Sequence, residues 1–267
     1  MGLIGVPPFT AVALRFAIAS AILLASAKAM RVPLGAQPYE RRLWVVNGLL
    51  FFSVSYGVVY WSEQFVPSGL AAILFATFPM LVSLFAHGFL PGERFRIRAV
   101  SGLLLAFAGI VVIFSEDFAK IGGPKTAAAA GVLLLSPIVS AISSVLVKRW
   151  GAGIHPISLA GMPMAIASLV MTAAALLFER GRPLVWSRTA IVALAYLSIV
   201  GSAVTFTLYY WLLRQVPASR LALIAYATPV IAVIAGVLLL DEPLTSRFLI
   251  GGALVIAGVA FAARARY

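Results

Sequence analysis

The sequence specifies an all-α polytopic membrane protein built as two repeats of opposite membrane topology. Hydrophobic residues make up 63% of the 267 positions and charged residues 10%, with a mean hydropathy of +1.07. A soluble globular domain is about half apolar and a quarter charged. The apolar residues gather into stretches of roughly 20, the length that crosses a bilayer as a helix. Finally, one string of helix breakers occurs twice, 150 residues apart from Pro67 to Pro217.

Nine apolar stretches follow one another, each bounded by charge, proline or glycine: 7–28, 43–62, 67–90, 97–115, 127–147, 156–178, 189–213, 217–240 and 247–263. The links between them are mostly short. Glu63 to Val66 has room only for a tight turn between antiparallel neighbours.

The repeat fixes the grouping. Its first copy reads Val66-Pro67, a small-residue run to Pro79, Pro91-Gly92-Glu93, then Gly102 and Gly109. The second reads Val216-Pro217, a matching run to Pro229, Asp241-Glu242, then Gly251 and Gly258. Proline to proline is 12 residues in each copy, glutamate to glycine 9, and glycine to glycine 7. Upstream, Ala17-Ile18-Ala19-Ser20 recurs as Ala165-Ile166-Ala167-Ser168. Aligned this way, spans six to nine match spans one to four, and 127–147 opens the second repeat without a partner in the first. Residues 1–115 thus form a repeat with four visible spans and 127–263 one with five. Ten spans are expected where nine are visible, so the sequence reads as starting one helix late. A unit of five spans repeated in tandem inserts its second copy upside down, the internal symmetry of alternating-access carriers.

Lys and Arg set the orientation. With the C-terminus in the cytoplasm, 13 basic residues (Lys28, Arg31, Arg41, Arg42, Arg94, Arg96, Arg98, Lys148, Arg149, Arg214, Arg220, Arg264, Arg266) lie inside. Six lie outside: Lys120, Lys125, Arg180, Arg182, Arg188 and Arg247. The net charge of +12 is therefore spread over span ends. It forms no basic stripe of the kind that binds nucleic acid. The absence of cysteine removes disulfide and thiol chemistry, and His87 and His155 are too few and too far apart for a metal cluster. No cofactor and no metal is expected. No G-x4-G-K-[ST] run suggests an ATP-driven pump.

Several residues stand out inside the spans. Arg15 is the one cation well within an apolar stretch; it reads as a site for an anionic substrate group or as a side chain reaching a headgroup. Tyr56 lies deepest in the Tyr56, Tyr60, Trp61 group, which is echoed by Tyr209, Tyr210, Trp211; Trp61 and Trp211 read as interfacial belt residues. Ser136, Ser140, Ser143 and Ser144 recur at helical spacing beside Pro137, giving a hydroxyl stripe that bonds helices together or lines a polar path. Thr205 and Thr207 are weaker versions. Pro79 and Pro229 occupy equivalent mid-span positions, where a missing N–H bends the helix and frees a carbonyl. They read as gating kinks or as inherited packing bends. The glycine pairs read as close helix contacts. Glu93 and Glu242 read as caps of the following helix or as partners of a nearby Arg. All eight acids sit at or near span ends, so no mid-membrane carboxylate offers a proton relay.

These residues together resemble the EamA-type drug/metabolite transporter superfamily. The matching features are Pro7-Pro8 with Arg15-Phe16, the small-residue helices ending at Pro79 and Pro229, Gly92-Glu93 and Asp241-Glu242, and the Gly-x6-Gly helices after them. The resemblance covers nearly the whole chain. It implies ten spans in two five-helix repeats, and export of a small metabolite such as an amino acid or an amphipathic drug-like compound through the inner (plasma) membrane. The expected partners are that small molecule and the lipid bilayer, with a homodimer left open. Candidate cavity-lining residues are Arg15, Tyr56, Ser136, Ser140, Thr205 and Tyr209. The alternatives are a non-transporting or degenerate membrane protein and an integral-membrane enzyme. The second lacks a nucleophile with a base, or metal ligands, near the interface.

Overall fold

The structure, a computed structural model, describes residues 5–93, 97–115, 123–240 and 245–264. Asp241 and Glu242 lie outside them, as do Glu116 and Asp117. The described residues are helical nearly throughout. In chain order the helices are α1 (Pro8–Ala29), α2 (Glu40–Asn47), α3 (Tyr56–Ser62), α4 (Ser68–Phe75), α5 (Phe78–Phe89), α6 (Ile97–Ile113) and α7 (Gly123–Leu133). There follow α8 (Leu135–Trp150), α9 (Pro156–Phe178), α10 (Arg188–Ser198), α11 (Thr205–Gln215), α12 (Ala218–Ala222), α13 (Ile224–Leu240) and α14 (Ser246–Arg264). A π-helical segment, Gly48–Ser55, joins α2 to α3, and a second, Ile199–Val204, joins α10 to α11.

Among the described residues, seven helical rods are long and apolar enough to cross a membrane: Pro8–Ala29, Glu40–Ser62, Ser68–Phe89, Gly123–Trp150, Pro156–Phe178, Arg188–Gln215 and Ser246–Arg264. Ile97–Ile113 is a shorter apolar helix, and α12 with α13 (218–240) takes the place of the stretch at 217–240.

The chain folds as two compact units, Met1–Trp61 with Leu146–Gln215 and Ser62–Val145 with Val216–Tyr267. Each unit draws helices from both sequence halves. In the first, α1 packs lengthwise on α9. The two run antiparallel: Phe9 meets Phe178, Ser168 Oγ donates to the carbonyl of Ala13 (3.0 Å), and Gly161 lies against Leu23. In the second unit α6 packs on α14 with their glycines facing. A Cβ at Gly109 would stand 2.5 Å from the carbonyl oxygen of Gly251, and one at Gly102 would stand 2.7 Å from that of Gly258. The pairing is reciprocal, so only glycine lets these backbones approach so closely. Leu103, Ala106, Ile110, Tyr226 and Val255 fill the core beside it.

Prolines open helices here, and carboxylates from elsewhere complete them. A proline suits a first turn but carries no side-chain oxygen to accept the exposed N–H groups there. Hydrocarbon offers no water to replace it. For α1, Glu179 accepts from the N–H of Phe9 (2.8 Å), the N–H of Thr10 (2.9 Å) and Thr10 Oγ1 (2.7 Å). For α12, which follows Pro217, Glu93 accepts from the N–H groups of Ala218 (2.8 Å) and Ser219 (3.0 Å) and from Ser219 Oγ. The sequence reads Glu93 as the cap of the helix after it or as the partner of a nearby Arg. Instead it caps a helix 125 residues away, because α5 and α12 are neighbours within the second unit. Glu40 receives Ser158 Oγ in the first turn of α9. These three acids lie at span ends but are buried.

Two stability measurements in detergent test this frame. Gly109→Ala should lower the unfolding midpoint, at a cost of about 1–3 kcal/mol for overpacking, although alanine is the better helix former. Gly131→Ala, where an added Cβ meets nothing within 4 Å, should be neutral or slightly stabilising. Glu179→Ala, which strips two N–H groups of their acceptor, should cost about 1–3 kcal/mol. Glu179→Gln should fall between it and the parent.

Candidate functional site

Arg15 is the eighth residue of α1, about 10 Å along the helix at 1.5 Å per residue. It is 7% exposed. Its Nε donates to Ser202 Oγ (2.8 Å), Nη1 to Tyr60 OH (3.0 Å) and Nη2 to the carbonyl of Gly201 (3.1 Å). Ser202 and Gly201 belong to the second π-helical segment, whose widened turn opens the helix ladder to an outside donor. The guanidinium carbon lies 5.1 Å from the ring centre of Tyr56 and 5.7 Å from that of Phe16. All of these partners are neutral. A cation is thus held away from water by hydroxyls, one carbonyl and two π faces.

Behind it stands an aromatic cluster. Phe16 packs edge-on against Phe52 (5.3 Å) and Tyr56 (5.0 Å), and Phe206 packs edge-on against Phe52 (4.9 Å) and Phe51 (5.4 Å). In front lies a small cavity lined by Arg15, Tyr60, Val6, Ala11, Ala190, Leu194 and Leu197. Arg15 and Tyr60 are its polar side chains, so an entering solute meets a cation, a phenol and apolar wall.

A second polar knot lies in the same unit, at the end of α2 and the first turn of α9. Pro163, inside α9, has no N–H for the carbonyl of Leu159 four residues earlier. Asn47 Nδ2 donates to that carbonyl (3.2 Å) and also reaches Tyr210 OH (2.8 Å). The repeat relates the two knots. A 150-residue offset carries Tyr60 onto Tyr210, and Gly48–Ser55 onto residues 198–205, where the other π segment lies. The alignment that pairs Ala17 with Ala165 pairs Arg15 with Pro163.

Four of the sequence candidates fall in this first unit. Arg15 and Tyr56 form the site, and Tyr209 extends the aromatic cluster through Phe206 (6.5 Å) and Tyr210 (5.5 Å). Thr205 is exposed and gives its hydroxyl to the carbonyl of Val200 (2.7 Å), inside its own widened turn. The other four belong to the second unit. Ser136 and Ser140 are fully buried with Ser143 and Ser144, on a rod interrupted at Leu134 with Pro137 in the first turn after the break. Pro79 follows a break in the middle of its rod at Ala76–Thr77 and sits in the first turn of α5. Pro229 does lie inside a helix, α13, six residues after the break at Leu223. Sequence reasoning missed Asn47, Ser202 and Pro163. The available signal was a polar residue in span two and a proline in span six at the position of Arg15. Among the described residues no group of three His, Asp or Glu side chains is placed to hold a metal.

A double-mutant cycle tests the second knot. Pro163→Ala restores an N–H to α9, so Asn47→Leu should cost about 1 kcal/mol less in that background than alone, read as unfolding midpoints in detergent.

The EamA-like transporter family model matches residues 2–115 and 128–264. An uncharacterized transporter of Archaeoglobus fulgidus is 29% identical over 97% of this chain and 90% of its own length. The uncharacterized transporter YoaV of Bacillus subtilis is 24% identical over 97% and 88%. The uncharacterized inner membrane transporter YedA of Escherichia coli K12 is 30% identical over 79% and 68%. A solved crystal structure superposes with a TM-score of 0.83 at 24% identity, covering 99% of this chain and 91% of its own, which shows a shared fold. With a membrane-length helical fold and two matches that together span nearly all of it, the chain belongs to the EamA-like transporter family.

Proposed function

We propose that this chain carries a small metabolite, such as an amino acid or an amphipathic drug-like compound, out across the cytoplasmic membrane by alternating access. Residues 1–115 and 127–263 are then inverted repeats, and the C-terminus is cytoplasmic. The observation that carries the reading is Arg15: a buried cation whose partners are all neutral, facing a small cavity and backed by aromatic rings. A desolvated guanidinium without a counter-charge draws an anionic solute group such as a carboxylate. The aromatic cluster offers an apolar wall to the rest of the molecule. The antiparallel pairing of α1 with α9 and of α6 with α14 supports inverted repeats, since these are matching spans of the two halves. Tyr56 and Tyr209 line the path on this reading. Ser136 and Ser140 supply hydroxyls in the second unit, and the breaks near Pro79 and Pro229 serve as hinges.

Efflux of labelled amino acids and drug-like compounds from loaded cells, at matched membrane expression, tests it. Arg15→Ala should lower efflux about tenfold or more, the worth of lost charge-assisted hydrogen bonds. Arg15→Lys should chiefly raise the half-saturation concentration, because the charge stays while the fork of donors is lost. Equal small effects would assign Arg15 to packing. Pro79→Ala or Pro229→Ala should reduce flux with expression near normal; unaltered flux would remove both from gating.

A further inference from the structure

We infer that the basic end of the first unit binds the phosphate group of an anionic membrane lipid, in a pocket where the end of α8, the start of α9 and the end of α11 converge. The pocket is lined by Lys148, Gly151, Ala152, Leu159, Tyr210 and Arg214, among others. Lys148 Nζ donates to the carbonyl of Leu213 in the last turn of α11 (2.7 Å), which fixes the ammonium on the pocket wall. Arg214 is exposed at the rim. Gly151, which has no side chain, and Ala152 share the lining with the two cations, and the buried Leu159 and Tyr210 complete it.

The surroundings match the ligand. This end of the unit carries Lys28, Arg31, Arg41, Arg42, Lys148, Arg149 and Arg214. The acid there, Glu40, is turned onto Ser158 Oγ and the N–H of Gln37. Trp150 and Trp211 flank the pocket about half exposed, and the guanidinium of Arg149 lies over the Trp150 ring at 5.6 Å. Half-exposed tryptophans at span ends mark headgroup depth. A phosphodiester at that depth meets two cations and a dry floor, and Leu208 and Trp211, exposed one turn apart on α11, offer a bed for its acyl chain. A free phosphate has the same charge chemistry but no use for that bed.

The test uses the full chain purified in neutral detergent and reads the midpoint of thermal unfolding. Dioctanoyl phosphatidylglycerol should raise the midpoint well above the effect of equimolar dioctanoyl phosphatidylcholine, with inorganic phosphate giving no rise. Ala152→Trp fills the pocket and keeps every charge, so it should abolish the difference. Arg214→Gln, a surface change that leaves the fold alone, should shrink it. Arg180→Gln, at the other end of the unit, should retain it. Equal shifts from the two lipids, or a full phosphatidylglycerol effect in both Ala152→Trp and Arg214→Gln, would overturn the site. A rise with inorganic phosphate alone would overturn the lipid assignment in favour of a soluble anion.

Discussion

Hydrocarbon cannot hydrogen-bond a peptide group, and most of the polar side chains placed in this chain answer that constraint. At several places where a helix gives up a backbone group, a side chain from another span takes it. Glu179 and Glu93 take the N–H groups that proline-led helices leave open. Asn47 takes the carbonyl that Pro163 releases, and Arg15 takes that of Gly201 in a widened turn. Ser53 and Thr205 close the two π-helical segments from within, each onto a carbonyl five residues back. The breaks and the polar residues are therefore one system. Where the partner comes from a span far apart in sequence, as with Glu179, Glu93, Asn47 and Arg15, the irregularity also ties the unit together.

Arg15 goes further than backbone repair requires. A neutral donor would satisfy the carbonyl of Gly201 at far lower desolvation cost, since a charged side chain well inside a membrane costs about 3 kcal/mol. Its hydrogen bonds and the two ring faces offset part of that cost. What they do not supply is a negative charge. A solute bearing one gains from the meeting both by pairing and by relieving an incompletely solvated cation. On the proposed function, Arg15 is then the seat of discrimination between solutes, with an aromatic wall beside it.

Much of this was legible in the sequence because the strongest signals are periodic. The nine apolar stretches of bilayer length match helical segments to within a few residues. The facing of Gly102 and Gly109 with Gly258 and Gly251 follows from a seven-residue spacing that puts small residues on one helix face. Arg15 announced itself as a charge in an apolar run. The partners did not, because they are set by which helices become neighbours. Glu93 looks local and acts 125 residues away. Thr205 looks like a lining residue, yet its hydroxyl is consumed by its own widened turn. The π segments have no composition of their own: Gly48–Ser55 and Ile199–Val204 read as ordinary apolar helix, and only the outside donor at Gly201 and the inside hydroxyls reveal the extra residue.

The repeat is informative where its copies differ. Tyr60 and Tyr210 are matched, as are the π segments, so the two halves share a scaffold for one polar knot each. At the matched position on the long helices, one copy has Arg15 and the other Pro163. One knot is thus built around a cation and the other around a released carbonyl held by an amide. Two halves with the same residues would offer a solute the same chemistry from either direction. These offer a positive group at one end of an aromatic cluster and neutral dipoles at the other. On the carrier reading, that difference gives a bound molecule a preferred orientation, and it arises where the copies diverge: Arg15 against Pro163, Asn47 against Leu197 and Ser202 against Phe52.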